Sequence, residues 1–216
     1  MTKSLAQELK EQNAAGRTRM PTQTLAVLDD AAARVAALGL AESSRGVGAA
    51  APDFTLPDAA GERVSLSALL ANGPVVLSFY RGGWCPYCSA ELRALQARLS
   101  EINAAGATLV AVSPQTPDNS LSTAEKLDLA FPVLSDEGNV VADSFGLVFS
   151  VPETQRQVYQ GFGIDIPAAN GDDTFRLPVP ATYVISRDGT IAWRFVDSDY
   201  TKRAEPDDVI AAVKTL

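Results

Sequence analysis

The chain has 216 residues, 46% of them hydrophobic, with 18 lysines and arginines against 26 aspartates and glutamates. The net charge of −8 argues against a nucleic-acid partner, which would select basic stripes; Arg17 and Arg19 form the only basic cluster. Histidine is absent and cysteine occurs twice, so Ser-His and Cys-His catalysis within the chain is excluded, as are imidazole metal sites.

Residues 3–38 are rich in Ala, Leu, Glu, Lys and Gln, all good helix formers. Leu5 and Leu9 repeat at helical spacing, and Leu25, Leu28, Val35 and Leu38 do so again after a break at Met20-Pro21. Two helices joined by a turn are predicted, packing on the main body or standing off it as an arm or dimerisation element. The stretch Met1–Lys10 lacks the apolar core of a secretory signal. No run approaches the ~18 apolar residues of a membrane span. A cytoplasmic location is expected.

The pattern changes near Gly46. We expect a helical extension over 1–45 and one domain over 46–216. Short strands then alternate with helices, the mark of an α/β layer fold. Phe54–Leu56 reads as a strand, Ala59-Ala60-Gly61 as a turn and Leu66–Leu70 as a brief helix. Val75–Tyr80 is apolar almost throughout, as a strand covered on both faces would be. One helix is predicted from Pro86 to Asn103, with Leu92, Leu95, Leu99 and Ile102 inward and Gly106 as its stop. Leu109–Val112 and Phe131–Leu134 read as strands around a helix over Ser120–Leu129. Gly146–Pro180 reads as irregular. Thr182–Ser186 and Ile191–Val196 form a hairpin about Arg187-Asp188-Gly189. A last helix runs from Pro206 to Lys214, with Pro206 in its first turn.

The chemistry concentrates in Trp84-Cys85-Pro86-Tyr87-Cys88. Pro86 fits the first helical position, which puts Cys85 at the N-cap and Cys88 in the first turn. Unpaired N–H groups and the macrodipole there favour thiolate over thiol, and thiolate is the nucleophile. Two sulfurs three residues apart suit a reversible disulfide, whereas so short a loop adds little as a structural crosslink. A zinc site would need two more ligands than this chain offers. No dinucleotide-type glycine loop is present and no cofactor is expected.

Three segments carry a resemblance: Ala51-Pro52-Asp53-Phe54-Thr55-Leu56-Pro57, Phe79-Tyr80-Arg81-Gly82-Gly83-Trp84-Cys85-Pro86-Tyr87-Cys88, and Ala181-Thr182-Tyr183-Val184-Ile185. Together they resemble the alkyl hydroperoxide reductase and thiol-specific antioxidant family, the peroxiredoxin branch of the thioredoxin superfamily. Pro114-Gln115-Thr116-Pro117-Asp118 adds to the likeness. The resemblance implies a thioredoxin-like fold, a central mixed sheet with helices on both faces. It also implies a thiol peroxidase acting on hydrogen peroxide or an alkyl hydroperoxide, recycled by a thioredoxin-type dithiol, and a homodimer. The motif places Cys88 in the peroxide-attacking position, with Cys85 where the family has threonine and Arg81 where it has proline. Pro180 replaces the arginine that the family puts before this strand. A proline there resembles the cis-proline loop of thioredoxins, which would make the chain a disulfide oxidoreductase with Cys85 attacking. Which sulfur attacks stays open at this level. Arg81, Trp84, Pro180 and Thr182 are the candidate substrate-binding residues. Glu91 is either a proton relay or part of a solvated helix face.

Overall fold

A computed structural model of the chain describes residues 3–216. The N-terminal segment forms α1 (Leu5–Thr18), α2 (Thr22–Ala36) and the short turn α3 (Leu40–Ser43). Next come β1 (Thr55–Pro57), β2 (Arg63–Ser65), α4 (Leu66–Leu70) and β3 (Val75–Phe79). The middle of the chain gives α5 (Pro86–Ala97), α6 (Leu99–Ala104), β4 (Thr108–Ser113), α7 (Pro117–Leu127) and β5 (Val133–Ser135). The remainder is α8 (Val140–Ser144), β6 (Val148–Ser150), α9 (Glu153–Gly161), α10 (Ile166–Asn170), β7 (Arg176–Pro178), β8 (Ala181–Ile185), β9 (Ile191–Val196) and α11 (Pro206–Lys214).

Five strands build the central sheet in the order β5-β4-β3-β8-β9. The β3–β4 and β4–β5 pairs are parallel, whereas β3–β8 and β8–β9 are antiparallel, so the sheet is mixed. Every residue of β3 and β8 is buried. Their side chains alternate between two cores, as strand geometry requires. Val75, Leu77 and Phe79 join Tyr183, Phe145, Leu66 and Val141 on one face, under α4 and α8. Val76 and Tyr80 join Leu92, Leu95, Ile102 and Val209 on the other, under α5, α6 and α11. Both cysteines belong to this second core.

The two N-terminal helices pack on the body. Leu5 and Leu9 of α1 seat against Ala90, with Tyr87 alongside. The Glu205 carboxylate accepts the Leu5 and Ala6 backbone N–H groups at 3.2 and 2.6 Å, tying the start of α1 down. Leu28 and Val35 of α2 bury against Phe149, Val151, Tyr159 and Val179. Leu25 is only half-buried, and Leu38 is 56% exposed rather than part of the stripe, because α2 ends at Ala36.

The structure departs from expectation in two further places. The helix over 86–103 is two helices: Arg98 leaves helical geometry (φ −111°, ψ 9°) and joins α5 to α6. The stretch 146–180 is structured rather than irregular. Within it β6 pairs with β7, and Leu147, Phe149, Val151, Leu177 and Val179 are all buried. Among the described residues, no helix is long and apolar enough to cross a membrane.

Candidate active site

The strand β3 ends at Phe79 and the chain turns through Arg81-Gly82-Gly83-Trp84 into α5. Gly82 holds φ +147°, where a side chain would also run into Trp84. A Cβ on Gly83 would lie 2.3 Å from the Thr123 hydroxyl, so both glycines are required by close approach. The Gly83 N–H donates to Gln115 Oε1 at 2.9 Å, which ties the Pro114–Asp118 segment to the site loop. Cys85 occupies the N-cap of α5 with extended backbone, Pro86 the first helical position, and Cys88 the first turn.

Both cysteines are free thiols and fully buried. They are not sealed in hydrocarbon, however, because each sulfur receives a guanidinium. Arg81 Nη2 donates to Cys85 Sγ at 3.1 Å, and Arg203 Nη2 donates to Cys88 Sγ at 3.2 Å. Burial alone pushes the Cys85 thiol up. Contact with the Cys88 thiol and the charges of Arg81 and Arg203 outweigh it and hold Cys85 well below the ordinary thiol value. Burial pushes Cys88 well above that value, and the charge on Cys85 adds to the push. The surroundings thus favour a thiolate at Cys85 over one at Cys88.

Each arginine is itself held. Arg81 Nη1 donates to the Tyr159 hydroxyl at 3.1 Å, and Gln155 Nε2 donates to the same oxygen at 2.9 Å. The rings of Trp84 and Tyr200 flank the Arg81 guanidinium at 5.4 and 4.5 Å. Arg203 Nη1 donates to the carbonyls of Tyr200 and Lys202. Its Nε lies 2.6 Å from Glu91 Oε2 in a fully buried ion pair, off the line of a hydrogen bond. Burial pushes the Glu91 carboxyl up, against the pull of Arg203 and Thr182.

Of the sequence-stated candidates, Cys85, Cys88, Arg81 and Trp84 come together. Thr182 stands one step behind, donating through Oγ1 to Glu91 Oε1 at 3.1 Å. Glu91 is buried, which overturns the solvated-face alternative. Pro180 does not supply a cis-proline loop: there is no cis peptide bond among the described residues. The Val179 N–H donates to the Leu147 carbonyl at 2.8 Å, carrying the β6–β7 pairing up to Pro180, and β8 opens directly after it at Ala181. Pro180 is buried and lines a small cavity together with Ala31, Ala32 and Val35 of α2. Sequence reasoning missed Arg203 and Tyr159. Tyr159 lay in the segment read as irregular, and Arg203 is 115 residues from the sulfur it serves.

Comparison with known proteins agrees with this geometry. The AhpC/TSA family model matches residues 47–194. Peroxiredoxin Q of Triticum aestivum, a chloroplastic protein, is 33% identical over 60% of this chain and 59% of its own length. Peroxiredoxin Bcp of Escherichia coli is 34% identical over 45% of this chain and 62% of its own. The chain thus spans less than two thirds of either relative. Among solved structures, peroxidoxin BcpB from Mycobacterium tuberculosis superposes with TM-score 0.62 at 25% identity, covering 79% of this chain and 97% of that one. A peroxiredoxin-like protein from Aquifex aeolicus shares the fold with TM-score 0.64 at 15% identity, covering 81% and 90%.

A thioredoxin-like sheet with a cysteine pair at the mouth of its first central helix defines a peroxiredoxin-like protein of the thioredoxin superfamily. The chain belongs to the AhpC/TSA family.

Proposed function

We propose that the chain is a thiol-dependent peroxidase acting through Cys85 and Cys88. The observation that carries the reading is that two free sulfurs share one helix start and each bears a guanidinium hydrogen bond. The Cys85 thiolate attacks the terminal oxygen of a hydroperoxide, and the O–O bond breaks. The leaving alkoxide takes a proton from the Cys88 thiol and departs as an alcohol, or as water from hydrogen peroxide. Cys85 is now a sulfenic acid and Cys88 a thiolate. Attack of Cys88 on the Cys85 sulfur forms the disulfide and expels hydroxide, which solvent protonates to water. A thioredoxin-type dithiol then reduces the disulfide by exchange. The family motif places Cys88 as the attacking sulfur, but the charge distribution favours Cys85.

Arg81 holds the Cys85 thiolate, and its fork also suits a peroxide oxygen. Trp84 flanks that fork, and Thr182 positions Glu91. The trans, covered Pro180 leaves the alternative, a thioredoxin-like reductase docking on a cis-proline loop, without its loop. A reducing cytoplasmic setting and a homodimer fit the reading.

The test uses purified wild type, Cys85→Ser and Cys88→Ser with one equivalent of peroxide. Wild type and Cys88→Ser should each consume it, Cys88→Ser for a single turnover, and Cys85→Ser should be inert. Persistence of peroxide with wild type would refute the peroxidase reading. Turnover by Cys85→Ser would return the attack to Cys88.

A further inference from the structure

We infer that Tyr159, backed by Gln155, is a positioning residue that holds the Arg81 guanidinium on the Cys85 sulfur. The inference rests on the peroxidase reading and deepens it by naming what keeps the cation of the thiolate in place.

Arg81 is buried, and none of the ion pairs among the described residues includes it. It makes two hydrogen bonds, Nη2 to Cys85 Sγ and Nη1 to the Tyr159 hydroxyl, each at 3.1 Å, and its Nε has no partner. Trp84 and Tyr200 also flank it, but ring contacts of that kind set no direction within the guanidinium plane, whereas hydrogen bonds do. One of the two bonds ends on the sulfur that reacts. As Cys85 passes from thiolate to sulfenic acid to disulfide, that acceptor changes. The Tyr159 hydroxyl does not, so it is the fixed end of the pair.

The anchor suits the task by its charge as well as its place. Burial pushes the Tyr159 phenol up, against the pull of Arg81, so it stays neutral. A neutral acceptor orients the guanidinium without matching its charge. A carboxylate in the same place would match it, as Glu91 does for Arg203. The charge of Arg81 is thereby left for the sulfur.

The phenol oxygen is itself fixed. A tyrosine hydroxyl has two acceptor positions, and here Arg81 and Gln155 Nε2, the latter at 2.9 Å, fill both. Gln155 and Tyr159 stand four residues apart on α9, the spacing that stacks side chains on one face of a helix. Both are buried. The Tyr159 ring packs 5.7 Å from Trp84 and shares a core with Leu28 and Val35 of α2, a helix outside the region the family model matches.

The test compares full-length variants in a Cys88→Ser background by the pH midpoint of iodoacetamide alkylation of Cys85. Tyr159→Phe keeps the ring and removes the hydroxyl. It should raise the midpoint by about half a unit to one unit, because a guanidinium freed of one bond spends less time on the sulfur. Gln155→Leu should move it the same way by less, and decides the matter if Tyr159→Phe misfolds. In an Arg81→Met background Tyr159→Phe should move it by less than about 0.2 units, because the hydroxyl acts through the guanidinium. Arg203, Glu91, Tyr87 and Tyr200 also act on Cys85 and are unchanged between the compared variants. With Cys88 intact, Tyr159→Phe should consume hydrogen peroxide about three- to tenfold more slowly than wild type below the midpoint, in step with the lost thiolate. Midpoints unmoved or lowered in the single variants, or an equal shift without Arg81, would overturn the inference. Peroxide left unspent by wild type would remove the peroxidase reading instead, while the alkylation midpoints still decide the positioning.

Discussion

Replacing Arg81 by methionine keeps an apolar stem between Trp84 and Tyr200 and removes the charge 3.1 Å from the Cys85 sulfur. The guanidinium charge is spread, so its centre stands somewhat further off. Two unit charges about 4 Å apart interact by about 4 kcal/mol at an effective dielectric near 20. That energy corresponds to about three pKa units. Arg203 remains, and water filling the vacated fork screens the sulfur, so we expect a rise of about two units. The measurement is the pH dependence of iodoacetamide alkylation in a Cys88→Ser background, where the serine hydroxyl still neighbours Cys85. Arg81→Met should move the midpoint up by that amount and cut alkylation at pH 6 by one to two orders of magnitude. Arg81→Lys restores the charge without the fork and should fall between. A midpoint unchanged within about 0.3 units would refute the claim that this arginine holds the thiolate.

Peroxide consumption should rise with pH through the depressed Cys85 value and level off below the ordinary thiol range near 8.5, because the thiolate is the reacting form. The same depression has a stability consequence. The thiolate contributes in full above the unfolded value of about 8.5, and the contribution is lost as pH falls through the folded value. The urea-stability gap between wild type and Cys85→Ser should therefore narrow on acidification. The Glu91→Leu variant leaves Arg203 beside an apolar side chain and should lose roughly 3 kcal/mol in urea unfolding, since a buried charge loses its partner. Glu205→Ala frees the Leu5 and Ala6 N–H groups at a cost of about 1 kcal/mol. It should speed amide exchange across residues 5–18 while leaving β3 and β8 protected.

The sheet was legible because its strands obey one rule at a time. Residues 75–80 are apolar on both sides of the period because α4 and α8 cover one face and α5, α6 and α11 the other. The helix start at Cys85 was legible from Pro86 alone, since proline's missing N–H fits only the first turn. Gly146–Pro180 was misread because its glycines and prolines are conspicuous. Alternation at Leu147, Phe149 and Val151, and at Leu177 and Val179, was the signal for the β6–β7 pair, diluted by strands of three residues each. The cysteines were legible as a redox pair, but their cations were not. Arg81 sits four residues away and could be suspected. Arg203 and Tyr159 reach the site only through the crossing of the sheet and the packing of α9, which no local pattern encodes. The cis-proline expectation failed because a proline before a strand fits an extended trans link as well as a reversal.

A pre-reduced wild-type sample mixed with one equivalent of hydroperoxide, quenched with alkylating agent and digested, reports on the sulfur pair itself. Stoichiometric loss of peroxide is expected, with a Cys85–Cys88 peptide lighter by two hydrogen atoms and carrying no alkyl groups. Recovery of that peptide with both cysteines alkylated, beside unspent peroxide, would contradict it.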